Sequence, residues 1–234
     1  MGQAYVGTSG FAYAAWKPGF YPADTPAAKF LSYYSSKLTS TEVNYTFRRL
    51  ASAKTLETWS RQTPDGFRFA FKAHMKLTHS LRLKSAEEFL KRFLESLNPM
   101  GAKTGPILFQ LPPNMKEDRE ALAAILEAMP SIKTAWEFRN KGWFNAEVYR
   151  ILERHQATLC WAESESIETP DVRTAPYSYL RLRKPPYEAD RLRQIADQVG
   201  KSLRHGDAYV YFKHEDSPEG ALDGLKLLQL LGQS

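Results

Sequence analysis

The chain has one cysteine, Cys160, in 234 residues. No internal disulfide can form, so the fold must rest on its apolar core, and the cytoplasm, a reducing compartment, is the expected location. No apolar run is long enough to cross a bilayer. The segment from Met1 to Val6 also lacks the basic, apolar and small-residue parts of a secretory signal. No membrane partner is expected. A glycine-rich dinucleotide fingerprint is missing as well, because Gly7-Thr8-Ser9-Gly10 follows the first strand without the required spacing. The five histidines, His74, His79, His155, His205 and His214, show no close ligand spacing. The sequence therefore predicts a site with no cofactor and no metal. There is no linker and no low-complexity segment, so residues 1–234 are expected to form one domain.

What is present is ordinary for a globular protein, with 43% hydrophobic and 25% charged residues. The net charge of +6 is compatible with an anionic ligand or nucleic acid, and equally with a basic, well-solvated surface. The order of elements is more informative. Short apolar or alternating runs recur between amphipathic ones. Strands are expected at 3–9, 41–47, 67–74, 106–112, 133–139, 157–163, 177–183 and 207–213. Helices are expected at 26–38, 52–62, 85–97, 117–129, 145–156, 188–203 and 219–231. Thr25, Ser52, Ser85 and Asn145 are the expected N-caps. The polar stretch 164–176 reads as loop. Alternation of this kind predicts a parallel sheet with helices outside, and eight units favour a single closed (β/α)8 barrel of the TIM type. The helix after strand six should be short or missing. A doubly wound open sheet is the alternative.

Side chains on a strand alternate between faces. In 41–47, Glu42, Asn44 and Thr46 share one face and Val43, Tyr45 and Phe47 the other. With helices outside, the polar face looks into the barrel. The same alternation places Ser9, Lys72, His74, Gln110, Glu137, Arg139, Glu163, Arg181, Arg183, Tyr211 and Lys213 inward, near C-terminal strand ends. That is where sites sit in this fold. Cys160 is expected on the helix side, as a small buried hydrophobe. The ring reads either as a site or as a buried ion-pair layer that fixes register.

Bases outnumber acids in the ring, and an arginine fork suits phosphate or carboxylate. Glu42 and Glu137 are the candidate acid and base, assisted by Lys72 as a third catalytic group. Ser9, Asn44, Thr46, His74, Gln110, Arg139, Glu163, Arg181, Arg183, Tyr211 and Lys213 are the candidate substrate contacts. Each glutamate can equally be a plain ion-pair partner. After strand one, Phe11, Tyr13, Trp16, Phe20 and Tyr21 either stack on a sugar or base at the mouth or pack on neighbouring helices.

Several runs together resemble one known family. They are Val6-Gly7-Thr8-Ser9-Gly10-Phe11 with Trp16 and Phe20-Tyr21-Pro22, then Glu42-Val43-Asn44-Tyr45-Thr46-Phe47 and Phe69-Ala70-Phe71-Lys72. Gln110-Leu111-Pro112-Pro113 and Glu137-Phe138-Arg139 with Trp143 complete the set. The chain resembles the YecE-like family, domain of unknown function 72. The resemblance implies a TIM-barrel-like fold and a shared polar pocket, with no settled reaction. It departs near the C-terminus. Arg181-Leu182-Arg183-Lys184 stands where relatives carry Arg-x-His-Gly, and Lys213-His214 stands where many carry two asparagines. The pocket is therefore expected to be more basic than that of relatives. The functional expectation is an enzyme acting by acid–base chemistry on a small anionic substrate, phosphorylated or carboxylated. A nucleic-acid-binding or processing protein and a non-catalytic ligand-binding barrel are the alternatives.

Overall fold

Eight parallel strands close on themselves in chain order. The computed structural model describes residues 2–184, 187–213 and 216–233. The strands are β1 Ala4–Ser9, β2 Ser40–Val43, β3 Arg68–Lys72, β4 Thr104–Gln110, β5 Thr134–Glu137, β6 Thr158–Ala162, β7 Ser178–Leu182 and β8 Ala208–Phe212. Pairing of β1 with β8, from Ala4 opposite Ala208 to Thr8 opposite Phe212, closes the ring. The outer layer holds α1 Phe30–Ser35, α2 Ala53–Gln62, α3 Glu87–Leu97, α4 Arg119–Glu127, α5 Ala146–Arg154, α6 Ala189–Leu203 and α7 Glu219–Leu230. The expected (β/α)8 barrel is the fold, and the open-sheet alternative is excluded. Among the described residues no helix is long and apolar enough to cross a membrane.

Local chemistry sets most element ends. Ser52 accepts a bond from the Thr55 amide, Asp118 from the Ala121 amide and Asn145 from the Val148 amide, which satisfies first-turn N–H groups of α2, α4 and α5. Two expected caps are not caps. Ser85 lies one residue before the N-cap Ala86 with φ at +46°, and α3 has no side-chain cap. The run after Thr25 begins as a 3-10 turn at Ala27–Lys29, also without a side-chain cap.

Strand two is shorter than expected. It ends at Val43; Asn44 takes a helical backbone and Tyr45–Phe47 form a 3-10 turn. The alternation in the sequence continues past the point where the strand stops. The Thr46 hydroxyl donates to the carbonyls of Val43 and Lys72 at 3.2 and 2.7 Å, which pins this turn to the end of β3.

The barrel interior is small residues against tyrosines. Ala70, Leu108, Ala135, Cys160 and Ala162 pack with Tyr177, Tyr179, Tyr209 and Tyr211. The large rings of Tyr179, Tyr209 and Tyr211 from β7 and β8 fill much of the lumen, so apart from Leu108 the other strands present small side chains at that level. This reverses the expected phase of strand six. Cys160 and Ala162 face the lumen, while Leu159 and Trp161 belong to the outer core.

Among the described residues no helix joins β6 to β7. Hydroxyls of the connecting segment replace its cover. The Thr174 hydroxyl accepts from the Leu159 amide at 2.8 Å and donates to the Ala157 carbonyl at 2.6 Å. The Thr169 hydroxyl donates to the Ala162 carbonyl at 3.2 Å. Backbone groups of β6 are thus paired without a helix over them.

Candidate functional site

At the C-terminal end of the barrel one guanidinium ties two carboxylates. The Arg181 Nη2 is 2.7 Å from Glu42 Oε1, and its Nη1 is 2.5 Å from Glu137 Oε2. Their strands are β7, β2 and β5, so the bridge spans the lumen. All three are buried, with residue exposures of 0% for Glu42 and 3% for Glu137 and Arg181. Glu42 also accepts from the Ser9 and Tyr179 hydroxyls at 2.8 and 2.7 Å. Glu137 accepts from Gln110 Nε2 at 2.8 Å and Arg139 Nε at 3.0 Å, with Arg183 Nη2 at 3.5 Å. The Gln110 carbonyl in turn accepts from Lys72 Nζ at 2.8 Å.

This arrangement decides protonation. Burial alone raises a carboxyl pKa, yet Arg181 and Arg139 hold Glu137 below the ordinary carboxylate range. Glu137 is therefore an anion at neutral pH, and its proton is not available to a substrate. Burial and the nearby Arg181 push the Lys72 ammonium down to about 8. Lys72, rather than Glu137, is the group poised to change charge near neutral pH. Tyr179 stays a phenol, raised well above its usual value by burial and by Glu42. Its O–H bond to a buried carboxylate should be worth about 1–2 kcal/mol. A Tyr179→Phe variant should lose that much in urea unfolding with an unchanged slope; an unchanged midpoint would mean the bond contributes nothing.

Above this layer lies a cleft of about 560 Å³, lined by Asn44, Tyr45, Phe47, Arg48, Arg49, Lys72, Gln110, Arg139, Arg181, Arg183 and Lys213. Not every expected contact reaches it. Ser9 is buried beneath, on Glu42. Tyr211 is deeper still, its hydroxyl 2.7 Å from Ser40 Oγ. Thr46 is spent on backbone carbonyls. His74 turns away to pack on Phe89 of α3, at 5.0 Å between rings, and its Nδ1 accepts from the Lys76 amide. Glu163 lies past the end of β6, where its carboxylate accepts from the Arg183 and Lys184 amides, the Tyr187 hydroxyl and Arg191. It lines a neighbouring cleft of about 410 Å³ beside Glu137, Arg139 and Arg183, but its oxygens already anchor the start of the loop after β7. These five lie outside this cleft: alternation assigns a face, whereas depth and existing partners decide which side chains reach it. His214 lies outside the described residues.

Two features of the mouth carry no strand signal. Arg48 and Arg49 reach the cleft from the turn after β2. His79, in a π-type turn at Lys76–Ser80 after β3, meets the Phe47 ring edge-on at 5.1 Å. Burial and the nearby Lys72 and Arg139 lower its pKa. A run of basic residues just past strand two is the only hint the sequence offers of the first pair. The aromatic loop is not a platform at the mouth. Trp16, Phe20 and Tyr21 are buried, and Tyr21 stacks on Phe30 of α1 at 4.2 Å.

A family model described as "Protein of unknown function DUF72" matches residues 5–234. The chain belongs to that family. It is 32% identical over 154 residues to the UPF0759 protein YunF of Bacillus subtilis, covering 62% of this chain and 54% of that protein. It is 28% identical over 162 residues to the UPF0759 protein YecE of Escherichia coli O157:H7, covering 69% and 54%. The matched region thus spans about half the length of these curated relatives. The crystal structure of a DUF72 family protein from Thermotoga maritima superposes with a TM-score of 0.87 at 24% identity, over 99% of this chain and 100% of that one. Another, from Enterococcus faecalis, gives 0.84 at 18% identity over 99% and 96%. At those identities the likeness carries the barrel and nothing about chemistry. In this DUF72 chain the Arg181 to Lys184 run supplies both the bridging guanidinium and a second arginine at the mouth.

Proposed function

We propose that the mouth of the barrel binds a small anionic ligand, phosphorylated or carboxylated, with Lys72 as the group that exchanges a proton or charge with it. The observation that carries this reading is unspent bonding capacity. Asn44 Oδ1, Arg181 Nε and Arg183 Nε are buried and have no hydrogen-bond partner among the described residues, and all three residues line the cleft. Buried polar atoms without partners are costly, and a ligand that supplies partners relieves that cost. Charge points the same way. Lys72, Arg139, Arg181, Arg183 and Lys213 line a cleft whose network, among the described residues, holds Glu42 and Glu137 as its carboxylates. The two carboxylates are saturated by Arg181 and its neighbours, so their role is to hold the guanidinium in place rather than to act as opposed acid and base. Burial of Trp16, Phe20 and Tyr21, with Phe11 and Tyr13 half-buried, weighs against a single-strand stacking platform, and Tyr45, 44% exposed, is a large aromatic left open at the mouth.

Calorimetric titration with sulfate tests the reading. Binding should weaken about tenfold or more in Arg183→Ala, the loss of about one charged hydrogen bond. A shallow dependence on salt is expected of a small ligand; a steep slope with oligonucleotides, and no sulfate affinity, would favour nucleic acid instead. pH gives a second check. Lys72 is protonated below about 8, so sulfate affinity should be highest below that value and fall severalfold by pH 9. Sulfate keeps its own charge over this range, so the fall reports the protein. Lys72→Met should bind more weakly throughout and show a flat profile; a parental profile in that variant would remove Lys72 from the site.

A further inference from the structure

The surroundings of Lys72 suit covalent chemistry rather than simple charge pairing. Its Nζ donates to Gln110 Oε1 at 2.8 Å and lies 4.3 Å from the centroid of the Phe47 ring. Among the described residues no carboxylate lies within ion-pair distance of it. Gln110 cannot turn its amide without losing the bond from its Nε2 to Glu137 Oε2 at 2.8 Å. The amide oxygen is therefore fixed at the amine, where it accepts one N–H and leaves the nitrogen lone pair of the neutral form to the cleft. Burial and the nearby Arg181 and Arg139 favour that neutral form, which is the nucleophile, and outweigh the Phe47 face, whose cation–π attraction favours the ammonium.

We propose that Lys72 forms an imine with a small aldehyde or ketone that carries a carboxylate or phosphate. This rests on the anion-binding reading of the same cleft. Arg139, Arg183 and Lys213 hold the anionic group, and Asn44 Oδ1 accepts from a hydroxyl of the ligand. The neutral amine attacks the carbonyl carbon; the C–N bond forms as the C=O π pair moves to oxygen. The oxygen takes one proton from the amine nitrogen and one from solvent at the open mouth, and leaves as water while the nitrogen pair forms the C=N bond. The product is an iminium on Nζ, and no oxidant, reductant or further group is needed. The depressed ammonium of Lys72 is consistent with this, since a useful share of the amine is neutral near pH 7.

Trapping tests it. The protein is incubated with pyruvate, glyceraldehyde 3-phosphate or uncharged glyceraldehyde, each with sodium cyanoborohydride, and analysed by intact mass and peptide mapping. Hydride delivered to the iminium carbon leaves a stable secondary amine. A single adduct on the Lys72 peptide is expected with at least one charged probe. It should form at least tenfold faster than on surface lysines or with glyceraldehyde, and sulfate should suppress it. In Lys72→Arg the adduct should vanish while sulfate binding persists. If labelling of Lys72 is no faster than that of surface lysines with every probe, or if the adduct remains in Lys72→Arg, the imine is overturned. Sulfate titration separates the two levels: retained affinity with no adduct leaves the anion site standing, and loss of both removes the site.

Discussion

Replacing Arg181 by methionine should cost about 3–5 kcal/mol of stability, the range for removing one partner from a buried ion network. The guanidinium stands 2.7 Å from Glu42 and 2.5 Å from Glu137, and all three side chains are almost wholly buried. Methionine matches much of the volume, so the loss is one of charge and hydrogen bonds rather than of packing. The variant leaves two carboxylates in the lumen with fewer donors. The cost should therefore depend on pH. In the parent, Glu137 is depressed; its contribution is present above the unfolded carboxyl pKa and is lost as pH falls through the folded value. In the variant, burial without the Arg181 guanidinium raises the Glu137 carboxyl, so the folded state is favoured while it is protonated and loses stability as pH rises through the raised value. The gap between parent and variant should be wide at pH 7 and narrow toward pH 4. Urea midpoints at several pH values measure it, and a gap that does not change with pH would refute the ionic account.

Glu42→Gln should cost less, about 2–3 kcal/mol, or roughly 4–12 °C in Tm for a chain of this size. The amide oxygen can keep the bonds from Ser9 and Arg181, and the Tyr179 hydroxyl can turn to accept from the amide nitrogen, because a hydroxyl is both donor and acceptor. What is lost is a charge: Arg181 is left with Glu137 as its close counter-ion. This bears directly on the role of the residue. A general acid or base could be made into its amide with little thermal effect, whereas a counter-ion cannot. A melt that matches the parent would return Glu42 to the list of candidate proton-transfer groups.

How much of this was legible in the sequence follows from which features are local. The barrel was, because eight strand and helix signals alternate and each depends on its own neighbours. Glu42, Lys72, Gln110, Glu137 and Arg181 were legible as inward residues, since period-two alternation holds while the strand lasts. It misled in two places. Beyond Val43 the polar and apolar residues go on alternating although the chain has turned, so Thr46 was assigned a face it does not have. In β6 the polar Glu163 suggested a phase that the lumen forbids, because Tyr179 and its neighbours fill the space opposite and only Cys160 and Ala162 fit. That one guanidinium joins residues 42 and 137 is a property of the closed ring, not of any stretch of chain.

The same bridge has a consequence for how the ring is assembled. Glu42 is delivered by the second strand, Glu137 by the fifth and Arg181 by the seventh. Until the seventh strand docks, no guanidinium joins the two carboxylates, and Glu137 has Arg139, two residues along, as its cation. Without β7 the lumen at this level lacks the guanidinium that lets Glu42 and Glu137 be buried together. Contacts this distant along the chain form only after the loop entropy between them has been overcome. The bridge thus requires β2, β5 and β7 to be in place together, and Arg183, directly after the β7 that completes it, adds to the basic lining of the mouth.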